Sequence, residues 1–307
     1  MIKIGLVDID GHNFPNLALM RISAFHKQQG DNVSWWWSDF EYYDIVYMSK
    51  IFSNAYSQEK TDPLNVGQVI RGGTGYAIDT QKQKEIYSKN KDIPLPKEIE
   101  KMFPDYSIYP QYDFAISMTS RGCPRGCPFC LVGAKEGLKA VKVANVSDFY
   151  SGQKIIEVLD PNITACKDKH ELFNQYLETH AQINFNQGLD IRLLSGEDIE
   201  ILNKMRLGTI HFAWDNPNDM LEDKFKQFAK EFRRKSNLGM VYVLVNFNST
   251  MEENLYRIYK LRDLGYDPFV MIYNKPSASK EIRKLQRWCN NKWLFKSVNN
   301  FYDFYKK

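Results

Sequence analysis

Six short apolar runs recur along the second two-thirds of the chain: 113–118 (DFAISM), 154–159 (KIIEVL), 182–186 (QINFN), 209–213 (TIHFA), 240–245 (MVYVLV) and 268–273 (PFVMIY). Stretches with apolar positions at helical spacing separate them, at 169–179, 196–206, 220–234 and 251–264. Strand starts fall about 30 residues apart, the length of a strand with its returning helix. The pattern therefore predicts an α/β fold built from parallel strands. Six such units suggest a partial (β/α)6 barrel of the TIM type.

The first part of the chain is patterned differently. A buried-type strand, 2–7, leads into a helical pattern from about Pro15 to Gln29, with Leu17, Met20, Ile22 and Phe25 on one side. Strand patterns follow at 33–37, 44–48 and 66–70, and Gly72, Gly73 and Gly75 punctuate the last. This predicts a small Rossmann-like unit over 1–78. Residues 79–112 are polar and carry Pro94, Pro96, Pro104 and Pro110, so they read as a connection with one short helix. The barrel is expected over 113–280, and the basic, aromatic stretch 281–307 as a capping helix and tail.

Composition narrows the class. The 307 residues leave room for two domains. With 41 basic against 37 acidic side chains, the net charge of +4 is too slight to be a nucleic-acid footprint by itself. No run approaches the roughly 20 apolar residues of a membrane span, and acids follow the first short apolar run directly. The chain reads as soluble and cytoplasmic. In a reducing compartment, three of the five cysteines crowded into SRGCPRGCPFC point to a metal centre rather than disulfides.

Polar residues follow the strands of the expected barrel: Asp160 and Asn162; Asn186, Gln187, Asp190 and Arg192; Asp215 and Asn216; Asn246 and Asn248; and Asn274. Active sites of parallel α/β barrels lie at those strand ends. Ser249 or Thr250, with Glu252 or Glu253 behind it, reads instead as a helix cap.

Cys123, Cys127 and Cys130 are spaced C-x3-C-x2-C. Thiolates suit iron–sulfur clusters or zinc, but closed structural zinc takes four ligands, and Cys166 and Cys289 are far along the chain. Three thiolates on a [4Fe–4S] cluster leave one iron open to a small ligand. Gly122, Pro124, Gly126 and Pro128 suit a tight loop around such a cluster. The spacing, the aromatic Phe129 before the last cysteine and the placement after the first barrel strand resemble the radical S-adenosylmethionine superfamily. That resemblance implies reductive cleavage of S-adenosylmethionine at the cluster, a 5′-deoxyadenosyl radical, and hydrogen abstraction from, or radical methylation of, a substrate. It implies an external electron donor such as flavodoxin or ferredoxin. It places adenine against the backbone around Phe129 and the methionine amine near Asp160 and Asn162. The family's glycine-rich stretch is replaced there by LDPN. Arg192 either pairs with the methionine carboxylate or forms an ion pair with Asp190. Asp215 and Asn246 are ribose contacts on this reading.

The N-terminal DIDGHNFPN resembles the cobalamin-binding module fused before the barrel in many radical enzymes. Asp10 and His12 form D-x-H, Ser49 stands two residues before the aliphatic Ile51, and Gly72 and Gly73 form the glycine pair. Cobalamin is thus a further expected cofactor, although Pro15 departs from the pattern. TSRGCPRGCPFC also resembles methylthiotransferases, but residues 1–120 contain no cysteine for a second cluster. The competing class is a non-catalytic zinc or iron–sulfur module that contacts nucleic acid through Arg283, Arg287, Trp288, Lys292 and Trp293.

Overall fold

The structure, a computed structural model, describes residues 1–11, 13–81, 84–234 and 238–306. The chain divides into two compact units, residues 1–117 with 147–151, and residues 118–146 with 152–307.

In the first unit, β1 (Lys3–Asp8) runs into α1 (Leu17–Gln28). Asn16 starts that helix, its side chain accepting the Leu19 amide at 3.2 Å, so Pro15 stays ahead of the cap. Strands β2 (Asn32–Trp35), β3 (Tyr43–Ser49) and β4 (Val66–Gly72) complete a parallel sheet in the order β2-β1-β3-β4. Ile4, Leu6, Leu19 and Ile22 pack on one side of it, and Val7, Ile9, Tyr43, Val46 and Met48 form a second cluster. An antiparallel ribbon, β5 (Ile78–Gln81) with β6 (Lys84–Tyr87), and the short α2 (Lys97–Glu100) come next. The polar stretch after residue 78 is more than a connection: Ile99 enters the first cluster, and the Tyr109 hydroxyl donates to the buried Asp8 carboxylate at 2.7 Å.

After β7 (Phe114–Ser117), a two-residue strand β8 (Ser120–Arg121), helix α3 (Val132–Glu136) and β9 (Val141–Lys142) form a small excursion, in which β8 and β9 pair antiparallel. Alternation then sets in: β10 (Ile155–Val158), α4 (Lys169–Glu178), β11 (Gln182–Phe185), α5 (Gly196–Lys204), β12 (Leu207–Ala213), α6 (Glu222–Glu231), β13 (Met240–Val245), α7 (Met251–Asp263) and β14 (Asp267–Ile272). The larger sheet takes its strands in chain order, β7-β10-β11-β12-β13-β14, and β10 through β14 pair parallel. With β7 and β14 at its edges, the sheet does not close on itself among the described residues.

Period-two alternation divides its two faces. Ile156, Ile183, Phe185, Phe212, Val241, Val243 and Val270 are buried. Phe185 meets Phe173 and Tyr176 of α4, and Phe212 meets Phe225 and Phe228 of α6, so this is the helix-covered face. Between them Glu157, Asn184, His211 and Tyr242 are half-exposed, beside the apolar Ile155, Met240 and Phe269. Ser195 and Thr250 head α5 and α7 with reciprocal capping boxes to Asp198 and Glu253. Helices α8 (Lys280–Asn290), α9 (Lys292–Ser297) and α10 (Phe301–Tyr305) end the chain. Asn290 and Gln286 bond to the Val270 backbone and blunt the edge strand β14. Among the described residues no helix is long and apolar enough to cross a membrane.

Candidate functional site

The three cysteines occupy one loop between β8 and α3, and its shape follows from glycine. Gly122 has φ +89, and a β-carbon there would stand 2.2 Å from the Lys139 carbonyl oxygen. Gly126 has φ +55. The Cys123 amide donates to the Gly137 carbonyl at 3.1 Å, and the Cys130 amide closes a turn onto the Cys127 carbonyl at 2.9 Å. All three thiols are free; Cys123 and Cys127 are half-buried and Cys130 is exposed. Burial pushes the Cys127 thiol up, and the neighbouring Cys130, Asp215 and Cys123 push it further.

The turn after β10 holds this loop from one side. Asn162 donates its side-chain amide to the Cys123 Sγ at 3.4 Å. Asp160 lies beneath, buried, and accepts from the Thr119 amide at 2.8 Å, the Thr119 hydroxyl at 2.9 Å, the Ser120 hydroxyl at 2.6 Å and the Ser120 amide. Burial pushes its carboxyl up to about 6 against those bonds. Its oxygens are spent on fixing the chain that enters the loop, so Asn162 is the member of the LDPN turn that reaches a cysteine.

An arginine that the sequence reading passed over holds the loop from another side. Arg125, between the first two cysteines, donates from Nε to Asp190 at 2.5 Å, and Arg192 donates from Nε to the other oxygen of Asp190 at 2.6 Å. Arg192 also reaches Asp219 at 2.6 Å. Of the two readings of Arg192, the ion pair with Asp190 is present in this structure. A cation inside the cysteine spacing was the available signal for Arg125, but its partner lies 65 residues away.

Asp215 accepts the Leu244 amide at 3.1 Å, and burial pushes its carboxyl up to about 6. Arg257, almost fully buried on α7, donates to the carbonyls of Trp214, Asp215 and Leu244 and so clasps the ends of β12 and β13. Nothing in its helical pattern distinguished it from a surface arginine. Asn246, in the left-handed region at φ +64, donates to the Tyr273 carbonyl at 2.8 Å and thereby spans the ends of β13 and β14. The Phe129 ring packs on Phe247 with centroids 5.4 Å apart, and Phe247 on Tyr273 at 4.9 Å. Phe247, also missed in the sequence, gives the cysteine loop an aromatic wall. The structure therefore gathers Phe129, Asn162, Arg192, Asp215 and Asn246 around or beside the cysteine loop and puts Asp160 under it.

Among the described residues no group of three or more His, Cys, Asp or Glu side chains is placed to hold a single metal ion. Cys166 is buried, and the buried Cys289 donates its thiol to the Pro268 carbonyl at the start of β14. Three soft thiols along one loop, with an amide hydrogen bond to one sulfur, fit a [4Fe–4S] cluster with one iron open.

The first unit answers differently. His12 lies outside the described residues. The Ser49 hydroxyl accepts the Asn16 amide at 2.9 Å. A β-carbon on Gly73 would meet the Lys50 carbonyl oxygen at 2.3 Å, and one on Gly75 the Phe52 carbonyl oxygen at 2.2 Å; only Gly72 has space over its α-carbon. At Gly73 and Gly75 the missing β-carbon admits the chain's own backbone, while the space over Gly72 is open. Trp288, offered above as a base-stacking residue, is fully buried, with Nε1 donating to the Val298 carbonyl, whereas Trp293 is exposed.

No protein-family model matches the chain, and no curated protein matches its sequence. The fold is one that a radical S-adenosylmethionine enzyme also has. The solved structure concerned is the radical S-adenosylmethionine methyltransferase TsrM from Kitasatospora setae, with cobalamin and a [4Fe–4S] cluster bound. It superposes with a TM-score of 0.64 at 10% sequence identity, over 88% of this chain and 74% of that one. At that identity the likeness is one of fold.

Proposed function

We propose that this chain is a radical S-adenosylmethionine enzyme. The observation that carries the reading is a glycine-bent loop of three free thiols, tied to the turn after β10 by Asn162 and to Asp190 by Arg125. The fold shared with TsrM supports it. Residues 113–280 then form the partial barrel, and 281–307 its cap.

On this reading Cys123, Cys127 and Cys130 hold a [4Fe–4S] cluster. When bound, the cluster and S-adenosylmethionine supply a one-electron reductive cleavage of the sulfonium that yields a hydrogen-abstracting agent. The chain's own residues position and insulate. Asn162 places an N–H on the Cys123 sulfur, which stabilises the more negatively charged state. Phe129, Phe247 and Tyr273 cover the loop with aromatic surface that suits an adenine. Asp215 and Asn246 stand where ribose hydroxyls would find an acceptor and an amide. Arg192, held by Asp190 and Asp219, sets the field at the loop rather than reaching outward. An external one-electron donor such as flavodoxin or ferredoxin and a reducing compartment complete the reading. Cobalamin, expected over Gly72 and Gly73, would be a second cofactor on this reading, and no step is routed through it.

The test is anaerobic. The full chain is reconstituted with iron and sulfide, reduced with dithionite and given S-adenosylmethionine. The reading requires 5′-deoxyadenosine from the wild type and none from the triple Cys123/Cys127/Cys130→Ala variant. Bound zinc without a cluster would overturn it.

A further inference from the structure

On the face of the larger sheet opposite the helices, polar side chains stand on four neighbouring strands, Glu157 on β10, Asn184 on β11, His211 on β12 and Tyr242 on β13. Asn184 of β11 donates to one Glu157 oxygen at 2.7 Å, and Asn186, just past that strand, donates to the other. The Thr209 amide donates to Asn184 Oδ1 at 3.0 Å. His211 of β12 bonds through Nδ1 to the carbonyls of Phe185 and Asn186, at 3.2 and 3.0 Å. The His211 ring lies 5.3 Å from that of Tyr242, which stands 5.9 Å from Phe269. Farther along β14, Met271 is 45% exposed. Gly208 belongs to the same arrangement, since a β-carbon there would fall 2.0 Å from Asn184 Oδ1.

A sheet face used only for packing would be apolar, as the opposite face is. This one spends Glu, Asn, His and Tyr side chains on half-exposed positions just before the strand ends that lead to the cysteine loop. Its chemistry is one-sided. A carbonyl can only accept, so His211 carries its proton on Nδ1, and Nε2 is left as a bare acceptor. Burial lowers the basicity of that imidazole and keeps it neutral. Among the described residues no lysine or arginine pairs with Glu157, and neither His211 Nε2 nor the Tyr242 hydroxyl has a protein partner. A half-buried carboxylate served only by amides, beside a bare imidazole nitrogen, is satisfied best by a donor that arrives with a positive charge or an N–H.

We propose that this face is the substrate-binding surface, and that Glu157 and His211 Nε2 select a substrate presenting an amine or a ring N–H. The Tyr242–Phe269 pair offers an aromatic wall for the apolar body that carries it. The proposal rests on the radical reading for the word substrate, but the binding site does not need the cluster.

The test is a fluorine NMR titration of the full chain with 4-fluorobenzylamine and 4-fluorobenzoate, run on the wild type and on the triple cysteine variant. The amine is expected to bind both proteins equally and the benzoate neither. Glu157→Gln should weaken the amine about tenfold, the loss of one charge-assisted hydrogen bond. Should that variant fold poorly, 15N-histidine-labelled wild type gives an independent answer, because the Nε2 resonance of His211, assigned with His211→Asn, must move with the amine and stay with the benzoate. Equal binding of the two probes, no binding of the amine at millimolar concentration, or an unmoved Nε2 resonance overturns the proposal. Amine binding without any cleavage of S-adenosylmethionine keeps the site and sinks the radical reading; cleavage without amine binding does the reverse.

Discussion

Asn162 Nδ2 and Cys123 Sγ are 3.4 Å apart and joined by a hydrogen bond, across 39 residues of chain. The bond couples the turn after β10 to the first thiol of the loop. The Asn162 Oδ1 is occupied in turn, accepting the Thr164 hydroxyl at 2.6 Å, so the side-chain amide is oriented with its N–H toward sulfur. Partners of this kind tune a metal centre without ligating it. Asn162→Ala should leave the fold intact and lower cluster retention or the rate of S-adenosylmethionine cleavage by roughly 10- to 100-fold. The measurement is iron content and 5′-deoxyadenosine formed per chain, with the reduction potential moving to more negative values.

Arg125 and Asp190 separate a structural effect from a functional one. Asp190 is buried and serves both Arg125 and Arg192. Asp190→Ala leaves two guanidiniums facing each other and should cost about 3 kcal/mol in urea unfolding. Arg125→Ala leaves the Asp190–Arg192 pair in place and should cost less than about 1 kcal/mol. It should nonetheless slow cleavage, because the loop loses its tie. Equal stability losses in the two variants would contradict this division.

Gly122 and Gly152 form a matched pair for the loop. Both have positive φ, +89 and +101, but a β-carbon on Gly122 meets the Lys139 carbonyl oxygen at 2.2 Å, and one on Gly152 meets nothing within 4 Å. Alanine at either position pays the left-handed backbone strain, about 1 kcal/mol. Only Gly122→Ala adds a clash with backbone, which should raise its cost to about 3 kcal/mol or more and abolish cluster assembly. Thermal melts and iron content check both.

Asp8 makes stability depend on pH. It is 2% exposed, and burial pushes its carboxyl up to about 6, opposed by the Tyr109 hydroxyl. One of its oxygens, Oδ1, has no partner. Between about pH 4 and pH 6 the folded unit therefore holds a proton that the unfolded chain has released. Stability falls as pH rises through that window and stays lower above it. Asp8→Asn should stabilise the protein by on the order of 2 kcal/mol near pH 8 and by little near pH 4. Unfolding midpoints of the two proteins across that range test the sign.

What the sequence determined by itself is what depends on local spacing. Strand-and-helix alternation announced β10 to β14 and the helices between them, because burying one side of each element writes a period into the chain. The cap at Thr250 follows from a glutamate three residues on. The cysteine loop was legible because its three cysteines and its glycines fit within eight or nine residues. Tertiary structure decided everything that joins distant segments. The Asp160 carboxylate faces Thr119 and Ser120 and is used up there, although a free acid after a strand reads as a ligand contact. Arg192 meets Asp219 as well as Asp190, and Arg125 joins them from the cysteine loop. Of the glycine pair Gly72 and Gly73, the second is needed because the Lys50 carbonyl stands where its β-carbon would go. Glu157, Asn184, His211 and Tyr242 lie in four different strands, and no spacing along the chain relates them. Parallel pairing in chain order sets them on one face, because side chains alternate across each strand and the helices take the other side.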